Sequence, residues 1–201
     1  MAFQLFEHKI TITLTEEALG MMPADPDIHE KFIASKAPDA KTMQEEIMED
    51  GVAEVVERGM TVFPRLPDGT PYMYDYQLRG FFKDSIGLLR RAPGTESSKC
   101  KAYKKIVDGC IFVKERQIPI KLSGPMGDCQ RPLRTDGPTG SRTAIAHSET
   151  VPAGSTLTCT ITLTDDKLWP LVEECLDYGR YHGLAQWRNS GKGAFTWKAV
   201  K

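Results

Sequence analysis

The richest run of chemically useful side chains is Asp177-Tyr-Gly-Arg-Tyr-His-Gly-Leu-Ala-Gln-Trp-Arg-Asn-Ser-Gly-Lys-Gly-Ala-Phe-Thr-Trp197. Gly179, Gly183, Gly191 and Gly193 allow sharp turns and close approach, because glycine adopts positive φ without a steric penalty. Between them stand Gln186, Trp187, Arg188, Asn189, Ser190 and Lys192. Cations, amides and hydroxyls hold phosphates, and a large π-face stacks on a base. The chemistry expected of this stretch is therefore the grip on a nucleic-acid strand. A helix-to-strand connection with a glycine cap and solvated charges is the plainer reading of the same residues.

The elements that must position this loop follow from periodicity. His8–Thr15 alternates, with Ile10, Ile12 and Leu14 on one face and Lys9, Thr11 and Thr13 on the other. Ser155–Thr164 repeats the pattern, with Leu157, Cys159, Ile161 and Leu163 inward and the threonines outward. Leu78, Phe81, Phe82, Ile86 and Leu89 mark a helix over Tyr76–Arg91, stopped by Pro93-Gly94. Leu168, Leu171, Val172, Cys175 and Leu176 mark another, capped by Asp165-Asp166. Lys99–Lys105 reads as a basic helical segment before a strand at Cys110–Lys114. A further strand at Ile118–Leu122 is placed at a sheet edge by Pro119. With the final strand Ala194–Val200, the order is strand, helix, strand, strand, helix, strand. That is the βαββαβ core of an α+β, ferredoxin-like (RRM-like) fold, which often handles RNA on its open sheet face or adjoining loops.

Residues 16–75 read as an insertion after the first strand. Helices are expected over Asp27–Ile33 and Thr42–Glu57, then a hairpin over Thr61–Tyr74 with its turn at Pro67-Asp-Gly. Residues 115–150 read as a basic, loop-rich region. The net charge of −1 hides a polarity: Glu16–Glu57 carries −9 and the remainder +8. A basic body for a polyanion and a separate acidic element is the expectation.

Candidate phosphate contacts outside the glycine loop are Arg79 and Lys83 on the first helix and Arg131, Arg134 and Arg142 in the central region. Cleavage at a ribose 2′-hydroxyl needs an acid and a base near neutral pKa, for which His147 and His182 are the candidates. No fixed spacing pairs them, and His29 lies in the acidic insertion, so catalysis is not expected. Asp25 and Asp27 flank Pro26 as helix-capping residues do. The five cysteines are widely spaced without a C-x-x-C pair, so neither a structural metal nor a cofactor is expected. No leader-like segment or membrane-length apolar run is present, which points to the cytoplasm.

Three segments resemble the RAMP superfamily, the backbone subunits and guide-processing ribonucleases of CRISPR systems. Gln77-Leu-Arg-Gly-Phe-Phe-Lys-Asp84 is similar to the family's first-helix motif, where a glycine and basic residues begin a helix beside the bound strand. Glu149-Thr-Val-Pro-Ala-Gly-Ser-Thr-Leu-Thr-Cys-Thr-Ile161 resembles the V-P-x-G lead into the strand after the central loops. Gly183–Phe195 resembles the glycine-rich loop before the last strand. Their order and spacing match over about three-fifths of the chain.

The resemblance implies a ferredoxin-like core that binds single-stranded RNA, with a thumb inserted after the first strand. It also implies assembly with further copies or with effector subunits. The insertion here is acidic where a thumb that touches nucleic acid is basic, so it is expected to dock on a neighbouring subunit or a foreign complex. A chain this small also suits a phage-borne or mobile-element relative. Three functions stand side by side: a non-catalytic RNA-binding subunit, a metal-independent endoribonuclease, and an interaction or decoy protein acting through its acidic arm.

Overall fold

The computed structural model describes residues 4–24, 60–137 and 140–200, with 133–137 and 140–144 described by their backbone alone. The two helices expected at Asp27–Ile33 and Thr42–Glu57 lie outside the described residues. The chain divides into two compact units: Met1–Ala18 with Pro64–Pro125 and Val151–Lys201, and Leu19–Phe63 with Met126–Thr150. The segment expected to be one insertion is thus shared, since its portion from Pro64 onward belongs with the first unit. The fold is α+β, with mainly antiparallel sheets (the strands meeting at Thr61 and Ser148 run parallel) and four α-helices among the described residues.

The first unit is built on β1 (Phe6–Leu14). On one side it pairs with β11 (Phe195–Ala199), on the other with β10 (Thr156–Leu163), both antiparallel. Beyond β10 come β6 (Ile111–Val113) and β7 (Gln117–Lys121), which share one flank of β10, and then β5 (Tyr72–Tyr74). The break between β6 and β7 is bridged chemically. The Glu115 carboxylate accepts the Thr160 N–H at 2.7 Å and the Thr160 hydroxyl at 2.9 Å, in place of a ladder bond.

Helix α1 (Asp75–Leu89) follows β5. The Gln77 side chain reaches back to the Tyr74 N–H at 2.9 Å, completing a capping box, and Asp75 complements the dipole of the first turn. Helices α2 (Glu96–Lys99) and α3 (Tyr103–Cys110) come next, and α4 (Trp169–Tyr178) precedes the glycine-rich loop. Glu174 of α4 caps α2 from outside, accepting the Glu96 and Ser97 N–H groups at 2.7 and 2.9 Å. Alternation on the strands and the 3.6-residue period on the helices aim Ile10, Ile12, Leu157, Ile161, Phe82, Ile86, Val172 and Phe195 into one core, each at most 3% exposed.

The second unit carries β2 (Ala18–Leu19), β3 (Met22–Pro23), β4 (Thr61–Val62) and a long ribbon of β8 (Gly127–Gly137) and β9 (Gly140–Val151). Its sheet runs β2-β9-β4-β3, with β8 on β9. A Cβ at Gly20 would stand 2.5 Å from the Val62 backbone, so only glycine fits there.

Several expectations are corrected. Residues 115–150 are not loop-rich, for they hold β7 and the β8–β9 ribbon. The segments flanking Pro67-Asp68-Gly69 do not form one hairpin, although the turn itself forms and Arg65 bridges Pro71. Thr61–Val62 pairs with β3, and Tyr72–Tyr74 with β7. Pro119 is not on an edge strand: β7 lies between β10 and β5. Ile120 donates its N–H toward β5, to Pro71 O, so the nitrogen of Pro119 faces β10, and the β10 pairing stops at Ile120. Lys99–Lys105 is interrupted at Cys100, which is extended. Thr160 and Thr162 keep the outward side of β10, opposite Lys9 and Glu7, but are covered rather than solvent-exposed, at 8% and 7%.

Candidate nucleic-acid interface

The glycine-rich loop is a closed-neck excursion between α4 and β11. Gly179 is needed for packing rather than for a left-handed cap: its φ is −56°, and a Cβ there would stand 2.1 Å from the Phe195 ring. At the neck the two limbs cross backbone on backbone. Leu184 donates its N–H to Gly193 O at 2.9 Å, and Gly193 donates to Glu17 O at 2.8 Å. A Cβ at Gly193 would lie 2.0 Å from Leu184 O, and one at Gly183 would lie 2.3 Å from the Gly193 carbonyl carbon. The close approach that these glycines permit is thus to their own chain. Gly191 differs, with φ +83° and open space where a side chain would be.

Between the limbs the backbone is strained. Ala185 (φ 67°) and Trp187 (φ 56°) both sit in the left-handed region, at a cost of roughly 1–2 kcal/mol each. Strain of this kind persists where the surroundings enforce it and clusters at functional sites. Its effect here is to display Trp187, 42% exposed, at the start of a short 3-10 turn over Arg188–Ser190. The Ser190 hydroxyl donates to Trp187 O at 2.8 Å, closing that turn. Asn189 and Ser190 are exposed and Gln186 is half-buried.

The loop is tied to α1 through one carboxylate oxygen. Asp84 Oδ2 lies 2.7 Å from His182 Nε2 and 2.8 Å from Arg188 Nη1. Lys192 pairs with Glu17 below it. On α1 itself, Arg79 donates to Asp108 O at 3.0 Å, and Lys83 pairs with the Asp108 carboxylate at 2.5 Å. Each cation expected to grip phosphates from this surface is therefore also matched to a carboxylate of the protein. Gly80 lies one helical turn before Asp84 and so on the same face of α1. It is exposed, and a Cβ there would meet nothing within 4 Å.

The structure brings Arg188, Gln186, Trp187, Asn189, Ser190 and Lys192 together with the Asp84 face of α1. The central arginines belong to the second unit. Arg131 on β8 is buried, 7% exposed, rather than displayed for a phosphate. Arg134 and Arg142 are placed by their backbones on the ribbon, opposite Thr143 and Thr135. His147 on β9 lies 3.0 Å from Asp128 on β8, in the second unit. His182 is 8% exposed, its ring against Tyr178 and Phe81 at 5.6 and 6.4 Å. Each histidine thus has its own carboxylate partner within its own unit.

A second group was not singled out by sequence reasoning. Lys9, Lys121 and Lys198 sit with a field of threonines on the sheet face opposite the helices. The alternation that aims Ile10 and Ile12 inward aims these outward. The strand pattern and the fold class point to this face as one that can handle RNA, but they do not single out the three lysines.

Among the described residues no group of three or more His, Cys, Asp or Glu is placed to hold a metal. Nor is any helix there long and apolar enough to cross a membrane.

No known sequence family matches the chain, and no curated protein does. Solved structures do. One is a chain of a type III-B Cmr-beta complex bound to cognate target RNA. The similarity covers 98% of this chain and 60% of that one, with a TM-score of 0.55 and 11% identity. This chain therefore spans less than two-thirds of that relative's length. Another is a chain of a type IV-B CRISPR complex, covering 97% of this chain and 90% of that one, with a TM-score of 0.50 and 13% identity. The chain shares the fold of CRISPR-complex subunits.

Proposed function

We propose that the chain is a single-stranded RNA-binding subunit of a CRISPR-like effector assembly, acting by binding rather than cutting. The observation that carries this reading is the fold similarity over 97–98% of the chain to subunits of two CRISPR complexes, one of them bound to target RNA. The sheet order β11-β1-β10-β6/β7, with α1 after β1 and α4 after β10, supports a ferredoxin-like core within it.

The binding surface is the glycine-rich loop with the Asp84 face of α1. Trp187 stacks on a base, which is worth about 1–3 kcal/mol. Gln186, Asn189 and Ser190 hydrogen-bond to the backbone or base edges. Gly80 leaves α1 bare beside the loop, so a strand can lie against the helix. Arg188 and Lys192 keep their protein partners in the free state, and phosphates compete for them on binding. The enclosure of His182 between Asp84 and aromatic rings suits a positioning role better than proton transfer with a substrate. Self-assembly or docking on partner subunits through the acidic segment completes the proposal.

The test is purification from the expression host with measurement of co-eluting nucleic acid. Ribonuclease-sensitive fragments of uniform length are expected. A protein free of nucleic acid that also fails to take up added single-stranded RNA would overturn the reading.

A further inference from the structure

The first unit also presents a threonine-rich sheet face on the side away from its helices. On β1 the residues facing away from the helices are Glu7, Lys9, Thr11 and Thr13; on β10 and β11 they are Thr156, Thr158, Thr196 and Lys198, with Thr160 and Thr162 on the same face but covered. The registers set them in rows. Thr13 stands between Thr156 and Thr196, with Lys121 beyond Thr156; Thr11 stands between Thr158 and Lys198. Strands lie about 4.8 Å apart, so Lys121 and Lys198 flank a hydroxyl-paved floor two strands wide. The Thr11 and Thr158 hydroxyls touch at 3.0 Å. The turn at Asp68–Pro71 forms a wall beside β7, enclosing a groove of about 660 Å³ with Pro119, Lys121, Thr156 and Thr158.

The charges of this face differ in kind from those of the loop. Lys9, Lys121 and Lys198 are exposed, and among the described residues no carboxylate pairs with them. The carboxylates at the margin are engaged elsewhere. Glu7 is held by Lys114 at 2.9 and 3.0 Å, Glu115 by Thr160, and Asp68 accepts the Thr70 N–H at 2.9 Å. A face with three unmatched cations over a floor of hydroxyl donors is complementary to a polyanion whose backbone also offers hydroxyls. On β1, β10 and β11 this face carries no aromatic side chain, so the lysine–threonine floor offers no ring to stack on; Phe112 on β6, opposite Thr162, and Tyr72 and Tyr74 on β5, opposite Pro119 and Gln117, stand at its flank.

We propose that this face binds the ribose-phosphate backbone of single-stranded RNA without regard to sequence, the three lysines neutralising phosphates and the threonine hydroxyls bonding to phosphate oxygens and 2′-hydroxyls. The inference rests on the RNA-binding reading above and adds a second, backbone-reading surface to the loop.

The test is fluorescence anisotropy with a labelled 20-mer oligouridylate over a range of salt concentrations. The triple variant Lys9→Ala, Lys121→Ala, Lys198→Ala is compared with the control Lys101→Ala, Lys104→Ala, Lys105→Ala, which removes the same charge from exposed positions at α3. The expected result is at least a tenfold loss for the sheet-face variant, with the slope of log K against log salt reduced by roughly 2, about 0.7 per phosphate contact. The control should stay within twofold of the parent. Unchanged affinity in the sheet-face variant would overturn the inference and leave the loop reading standing, even if self-association is lost instead. An equal loss in the control would also overturn it, since charge rather than place would then decide. A parent protein that does not bind the oligomer at any salt would overturn both readings.

Discussion

Asp84 and Arg188 form an ion pair at 2.8 Å that fastens the glycine-rich loop to α1, and the same Asp84 oxygen lies 2.7 Å from His182. One carboxylate thus organises both ends of the surface on which Trp187 is displayed. His182 is almost enclosed while Asp84 and Arg188 remain partly exposed, so the histidine bond contributes more than the arginine pair. Asp84→Ala is expected to cost about 1–2 kcal/mol in urea unfolding. Hydrogen exchange should speed up across residues 183–193 while β1 and β10 stay protected. Uniform loss of protection, or none, would remove the fastening role.

The glycines of the loop separate crowding from strain. Gly193→Ala brings a Cβ to 2.0 Å from Leu184 O at a φ of +70°, where no shift of a flexible side chain relieves the clash. Gly191→Ala meets only the left-handed conformation, with open space around it. The second should cost about 1–2 kcal/mol and the first distinctly more, or prevent folding. Equal costs would mean that the neck is looser than its geometry.

Gly80 makes opposite predictions for stability and binding. In an exposed helix interior with nothing near its missing Cβ, Gly80→Ala should stabilise the free protein by about 0.5–1 kcal/mol. If a strand lies against this face of α1, the same methyl group weakens RNA binding severalfold. Thermal unfolding and an RNA titration on one sample check both. Stabilisation with unchanged affinity would move the strand away from Gly80.

How much of this was legible in the sequence depends on where the determinants lie. The alternation in β1 and β10 was readable because one face of each strand must be apolar, and α1 and α4 because their stripes keep a helical period. The ribbon was not. Asp128, Gln130 and Pro132 are exposed, and the alternating positions hold Cys129 and Arg131, so no apolar alternation marks β8; its ladder is held by backbone pairing to β9. The burial of Thr160 depends on Glu115 in another strand. The loop's residues were identifiable by type, but their charge partners were not, for Asp84 and Glu17 lie far away in the chain. Pairs brought together only by the fold leave no local pattern.

The buried thiols give a pH signature. Burial pushes the Cys159 thiol up to about 12, from an ordinary value of 9.0, and raises Cys175 as well. The folded state keeps these thiols protonated where the unfolded chain ionises them. Their contribution is therefore intact below pH 9 and lost as pH rises from 9 toward 12. Urea midpoints at pH 8 and 10.5 should converge partly in Cys159→Val relative to the parent. Identical pH dependence in the two would contradict this assignment.

The central claim is that a single RNA strand lies on the first unit, and photo-crosslinking tests it most directly. An oligouridylate carrying 4-thiouridine is irradiated with the protein, and the adducts are mapped by peptide mass. Adducts on the loop around Trp187 and on the Gly80 face of α1, competed by unlabelled single strands, are the predicted result. Adducts confined to the second unit, or none, would contradict it.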